Sequence, residues 1–167
     1  MTKGKPTLLG LTTGAVAGLV AVTPASGFAG PMGALALGLV AGVVCFLFCT
    51  GVKSALGYDD SLDVFGVHCI GGIIGALGTG LLVSPHLGGT GVADYVSRPG
   101  EAVATYVMST QMVAQCKAVL LTLLWSGLGS AIIYLVLELT IGLRPKYESE
   151  RVGLDLTEHG ERAYNDL

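Results

Sequence analysis

Of the three histidines in this 167-residue chain, His68 stands where an ionisable side chain is costly. It lies between Val67 and Cys69, inside a run (residues 64–93) without aspartate, glutamate, lysine or arginine. An ionisable group in such surroundings points by default to function or to a pairing partner. As a neutral imidazole it offers one donor and one acceptor, which suits passing a small hydrogen-bonding solute or relaying a proton. Its neighbours Val64, Phe65, Gly66, Val67 and Ile70 bring no counter-charge. Two readings stand on the residues alone: a place on a conduction path, or an interhelical hydrogen bond to Thr12, Thr13 or a backbone carbonyl. Asp63 reads as an acid at a path's mouth or as a first-turn acid favoured by the helix dipole.

The remaining polar residues form no second centre. Glu138 and Lys117 read as groups near a membrane interface, and Lys117 is placed to snorkel towards it. His86 falls in a loop and His159 in the tail, where solvation is the ordinary case. No nucleotide loop, zinc spacing or nucleophile constellation is present, and Gly78-Thr79-Gly80 lacks the third glycine of a dinucleotide site. The chain therefore reads as a protein that is not an enzyme, with no cofactor and no metal. Cys45, Cys49, Cys69 and Cys116 all lie in apolar stretches and read as small buried hydrophobes.

The elements that hold these residues follow from charge placement. Charged residues make up 13% of the chain, about half the ~25% of soluble domains, while 51% are hydrophobic and 26 are glycine. Mean hydropathy is +0.70. Residues 6–52 carry no charge, whereas ten charged residues crowd into 144–167. A water-soluble globule and a disordered chain are both excluded for everything before the tail. The net charge of −3 and the lack of a basic patch exclude nucleic acid as a partner. The partner read from composition is the lipid bilayer. Lys3 and Lys5 are followed by too long an apolar run for a signal peptide.

A crossing takes about 20 apolar residues. The charge-free block is therefore two spans, about 7–28 and 33–55, broken at Pro24 to Pro31. Asp59-Asp60-Ser61 supplies helix-start chemistry for a third span, about 62–83. Residues 84–110 read as a long extracytoplasmic loop and 111–142 as a fourth, over-long span. The sequence thus predicts an all-α polytopic membrane helix bundle over residues 1–143, with a cytoplasmic tail over 144–167. Lys3, Lys5, Lys53, Arg144, Lys146, Arg151 and Arg162 share one side and Arg98 the other. That asymmetry puts both termini in the cytoplasm of a multi-pass protein of the cell membrane. Gly10, Gly14 and Gly18, then Gly38 and Gly42, then Gly71 and Gly75 recur every four residues, predicting close helix packing through glycine faces.

The run Gly57-Tyr58-Asp59-Asp60-Ser61-Leu62-Asp63-Val64-Phe65-Gly66-Val67-His68, followed by Gly71-Gly72, resembles the penultimate-span signature of the ammonium transporter family (Amt/Mep/Rh). Gly14-Ala15-Val16-Ala17-Gly18-Leu19-Val20 with Val22-Thr23-Pro24-Ala25 is similar to that family's eighth span. Gly153-Leu154-Asp155-Leu156-Thr157-Glu158-His159-Gly160-Glu161 resembles its C-terminal regulatory segment. Together these motifs cover most of the chain, in the family's order.

The resemblance implies homotrimers of eleven-span subunits, each with its own hydrophobic pore, of which this chain would supply spans eight to eleven. It implies ammonium or ammonia as substrate and His68 as the second of two pore histidines. Val64 and Val16 match apolar pore-lining positions, with Thr13 nearby. It also marks Gly153, Asp155, Thr157, His159 and Gly160 as a regulatory tail. Thr157 matches a threonine phosphorylated in some plant members, while bacterial members use a PII-type regulator at the cytoplasmic face. Gas conduction, as in the Rh branch, ranks lower because the tail looks more like the Amt branch. The chain begins at what resembles the eighth span, so the first histidine and the outer recognition site are expected on other spans. By itself it is expected not to conduct, because half a pore leaves polar lining unpartnered in lipid. The alternative reading is a non-conducting truncated paralogue that associates with complete subunits and regulates them.

Overall fold

A computed structural model describes residues 5–94, 101–102 and 105–163, so Lys3, Arg98 and the Pro99-Gly100 pair lie outside the described residues. Thr7 opens the first helix, α1 (Leu8–Val22), its Oγ1 accepting the N–H of Gly10 at 3.1 Å. Pro24 follows one residue after Thr23 caps the helix, and the chain turns through residues 23–29. Thr23 keeps helical geometry, but Pro24 has no N–H with which to continue the ladder, and Gly27 completes the turn at φ +80°. The helix is thus shorter than the span placed at 7–28. Pro31 then starts α2 at its first turn, where a missing N–H costs nothing.

Helix α2 runs unbroken over Pro31–Leu56, with one π-helical turn at Phe48–Val52. Gly57, at φ +65°, ends it in the left-handed conformation that glycine adopts freely. Helix α3 covers Phe65–Leu82 and opens with a second π turn, Phe65–Cys69. Residues Pro85–Leu87 form a 3-10 turn, and the loop folds back so that Thr90 N–H donates to the Phe28 carbonyl at 3.0 Å. Ala93–Asp94 and Glu101–Ala102 pair antiparallel, two residues a strand, the one strand pairing among the described residues. Helix α4 is Met108–Thr140, starting three residues inside the segment expected to be loop. Short helices α5 (Tyr147–Val152) and α6 (Leu154–Thr157) follow.

The architecture is an all-α polytopic membrane bundle. Helices α2, α3 and α4 are long and apolar enough to cross a membrane, whereas α1 has 15 residues. Contacts divide the chain into two compact units, Met1–Leu120 and Leu121–Leu167.

In the first unit, α1, α2 and α3 pack on one another through residues spaced by four. Ala17, Ala21 and Ala25 face Leu37, Ala41 and Cys45, and α3 adds Val67 with buried Gly71, Gly75 and Thr79. Side chains this small let backbones meet, and lipid supplies no hydrophobic force that could substitute for that contact. A Cβ on Gly75 would run into the Ala21 carbonyl and lie 3.1 Å from its Cα. A Cβ on Gly18 would meet Gly38 at 3.9 Å. Gly14 and Gly42 meet nothing within 4 Å, and Gly10 meets only its own cap, Thr7. The expectation of glycine faces is corrected for Gly10, Gly14 and Gly42: the seams of α1 and α2 are made mainly by Ala17, Ala21, Ala41 and Cys45, with Gly18 meeting Gly38 and Gly33 packed on Leu82, while glycine makes the seam on α3. The cysteines divide too. Cys45 is buried, Cys49 and Cys69 are half-buried, and Cys116 is exposed on α4.

Gly75→Ala should destabilise the bundle by about 1–3 kcal/mol, the cost of forcing a methyl into filled space. Gly14→Ala should stay within about 0.5 kcal/mol, or stabilise slightly through helix propensity. Thermal unfolding of the detergent-solubilised chain, followed by circular dichroism, checks the pair. Equal midpoints for the two variants would contradict the packing described.

Candidate functional site

The site starts at the corner between α2 and α3. Asp60 turns its carboxylate onto the backbone N–H groups of Phe65 (3.0 Å) and Gly66 (3.3 Å), which have no helical partner of their own. Of the three residues expected to start the helix, Asp60 does so. Asp63 is the single non-glycine residue with positive φ, +56°, among the described residues. Its N–H donates to the Asp60 carbonyl at 3.0 Å, and its own carbonyl accepts the Val67 N–H at 2.9 Å. Lys53, at the end of the π turn of α2, donates to the Asp63 carboxylate at 2.8 Å and also to the Asp60 carbonyl. Asp63 is therefore an ion-paired turn residue. Nothing in the separate positions of Lys53 and Asp63 announced the pair. The signal available was a left-handed Gly57 between them, which folds the chain back.

Tyr58 floors the corner, its ring edge-on to Phe65 with centroids 5.6 Å apart. Its hydroxyl is buried and has no hydrogen-bond partner among the described residues. Burial, reinforced by the nearby Asp60 carboxylate, pushes the Tyr58 phenol above its ordinary pKa.

His68 is the fourth residue of the π turn that leaves this corner. Its chain neighbours Gly66 and Val67 are buried, with Val67 in one cluster with Ala17 and Cys45, while His68 itself is exposed. Gly66 packs so closely on Cys49 that no Cβ fits. Val64 is 52% exposed and Val16 39%, and Thr13 is half-buried. Val16 and His68 are thus the exposed chain neighbours of Ala17 and Val67, which share one buried cluster. The hydrogen bond to Thr12 or Thr13 is not made: Thr12 Oγ1 donates to the Leu8 and Leu9 carbonyls of its own helix at 3.1 and 3.0 Å. Among the described residues His68 has no hydrogen-bond partner, so its imidazole stands on an open, mostly apolar face.

Other predicted residues lie elsewhere. Glu138 accepts the Leu143 N–H at 2.8 Å and closes the end of α4. Lys117, His86 and His159 are exposed. In the second unit the tail residues gather in one small fold. Gly153, at φ +114°, has a carbonyl that accepts the Thr157 hydroxyl at 3.1 Å. Asp155 accepts the Ala163 N–H through its carboxylate at 3.0 Å and the Glu161 N–H through its carbonyl at 3.0 Å. Gly160, at φ +68°, makes the turn between them. The Ala163 amide lowers the Asp155 pKa below its ordinary value, with the Leu156 amide and the charge of His159 adding to the effect.

These features define a class: a membrane-embedded bundle of apolar helices presenting one imidazole on an open apolar face beside a polar corner. Residues 1–164 match the model of the Ammonium Transporter Family. The chain is 43% identical over 162 residues to the ammonium transporter of Aquifex aeolicus, covering 97% of this chain and 36% of that protein. It is 40% identical to the ammonium transporter of Bacillus subtilis and 38% identical to ammonium transporter Amt1 of Archaeoglobus fulgidus, each time over 97% of this chain and 38% of the relative. The chain belongs to the ammonium transporter family, and it spans somewhat over a third of the length of the curated relatives it matches.

The Asp155 contacts carry a pH dependence. A carboxyl whose folded pKa is depressed stabilises the fold fully above its unfolded value, here 3.8, and loses that contribution as pH falls through the lower folded value. Amide exchange at Ala163 in the full chain, scaled by the intrinsic rate of an unstructured amide at each pH, should therefore stay slow at neutral pH and accelerate once pH falls below that range. Asp155→Ala should accelerate it already at neutral pH. Protection of Ala163 that is unchanged by the substitution would show that the carboxylate does not hold this turn.

Proposed function

We propose that this chain forms one wall of the conduction path of an ammonium transporter subunit, and that the complete subunit moves ammonium or ammonia across the cell membrane. The observation that carries the reading is the strip of His68, Val64 and Val16, left open beside a close-packed three-helix core. An apolar path imposes a large desolvation penalty on a hydrated K⁺ or Na⁺, while a neutral ammonia molecule crosses with little penalty. Ammonium that leaves a proton behind can pass as ammonia, with the imidazole supplying a hydrogen bond or a proton route. Thr13, near the same strip, adds a hydroxyl.

The assembly follows the family resemblance. Four spans, with α1 and its following turn as the first, put both termini in the cytoplasm, as the placement of positive residues requires. The apolar helix α4 has no buried residue, which suits a place against lipid, other spans or a neighbouring subunit of a homotrimer. The small fold around Gly153, Asp155, Thr157, His159 and Gly160 is then the regulatory tail, with Thr157 as its modifiable hydroxyl and a PII-type protein as a partner at that face.

The test joins this chain to the preceding spans of the Bacillus subtilis relative and measures methylammonium uptake. His68→Ala should cut uptake about tenfold or more, the effect of losing ~1.4 kcal/mol of hydrogen bonding along the path. A chain that only associates with complete subunits and regulates them makes the opposite forecast: uptake unchanged by His68→Ala.

A further inference from the structure

The Lys53–Asp63 pair is not itself on the open face, yet it sits where the strand of causation towards His68 begins. Asp63 holds a left-handed backbone conformation, φ +56°, that a residue with a Cβ adopts at a cost. Such a conformation persists where its surroundings over-determine it, and it marks sites whose geometry matters. Here Lys53 supplies that determination. Its ammonium group bonds to the Asp63 carboxylate and to the Asp60 carbonyl, tying together both ends of the turn that Asp63 N–H closes onto Asp60. The same turn satisfies three successive N–H groups of α3, those of Phe65, Gly66 and Val67.

What leaves the turn is a π helix. The Ile70 N–H reaches back five residues to the Phe65 carbonyl, so the wide turn holds one residue more than an α-helical turn of the same height. Wide turns of this kind are rare and occur mostly as single turns inside α-helices, frequently at functional sites. Downstream, Gly71 and Gly75 fix α3 against α1 and α2. Upstream, Cys45 Sγ of α2 donates to the Val67 carbonyl at 3.9 Å, and the charged tie across the corner among the described residues is that of Lys53, which itself directly follows the π turn Phe48–Val52. The two π turns meet where Gly66 abuts Cys49. His68 sits between these anchors. Side chains that are 27% and 30% exposed form an ion pair that adds little to global stability, so the pair's effect lies in geometry.

We propose that Lys53 and Asp63 are positioning residues for His68: their ion pair holds the left-handed turn from which the π helix carrying His68 starts, and so sets the imidazole on the open face. The inference rests on His68 lining the conduction path. In the joined subunit described above, methylammonium uptake is measured for Lys53→Met, Lys53→Arg, Asp63→Asn and His68→Ala, with membrane abundance of each. Asparagine tolerates the left-handed conformation, so Asp63→Asn removes the charge and spares the turn. Lys53→Met and Asp63→Asn should each lower the maximal rate about tenfold, with KM within about twofold and abundance unchanged. Lys53→Arg should keep at least about half of the rate, since it retains the charge. If His68→Ala cuts uptake while Asp63→Asn leaves the rate intact, the positioning role fails and the conduction reading survives. If Lys53→Met lowers only abundance, the pair is merely structural. If His68→Ala is without effect, both readings fall together.

Discussion

Backbone contact between α1 and α3, centred on Ala21 and Gly75, is the constraint on which the rest of this molecule turns. In water a helix can be driven onto its neighbour by expelling solvent from large side chains. In hydrocarbon that force is absent, and helices adhere through dispersion between closely fitted surfaces and through shared polar groups. The seam is therefore made of alanine, glycine, cysteine and threonine, with Leu37 as its largest buried side chain on α2. Large apolar residues such as Leu8, Leu39 and Trp125 point outward instead. A core of this kind leaves little freedom in how the helices face one another. Ala17 and Val67 are buried in one cluster, and their chain neighbours Val16 and His68 stay exposed.

Polar groups follow the complementary rule, gathering where helices end. Each helix start leaves N–H groups that need partners, and an apolar medium offers none. Asp60 answers this at α3 and Thr7 at α1, while Glu138 takes up the Leu143 N–H just past the end of α4. Lys53 and Asp63 couple the ends of two crossing helices at one such terminus. The tail shows the same economy on a smaller scale, with Asp155 accepting two backbone N–H groups within a segment of eleven residues, 153–163.

Several of these features were legible before any coordinates. The break at Pro24 to Pro31 is visible because proline and glycine have few backbone options, and the helices on either side are visible because apolar runs must match a bilayer. Asp60 as a helix starter and the long fourth helix belong to the same category. The seam was legible only in part. Gly14 and Gly42 have the spacing of a packing face, but spacing says which residues share a face and not which face meets a neighbour. The end of α1 at Val22 was misplaced because apolarity continues through the turn, where proline chemistry overrides it. Cys116 was read as buried for a similar reason: in lipid, apolar does not mean inside.

The amino-acid sequence by itself determined the class of solvent, the all-α class and the family. These depend on composition and on local order, which are properties of neighbouring residues. Tertiary structure alone decided that Gly14 and Gly42 stay off the seams while Ala17, Ala21 and Ala41 are buried in them, that Lys53 pairs with Asp63, and that His68 is exposed without a hydrogen-bond partner among the described residues. Each depends on residues far apart in the chain meeting at a distance of a few ångströms, and a single turn such as the π helix at Phe65–Cys69 changes which side chains can meet. Helical periodicity cannot foresee such a turn, because it is set by the fit of α3 to its neighbours at both ends.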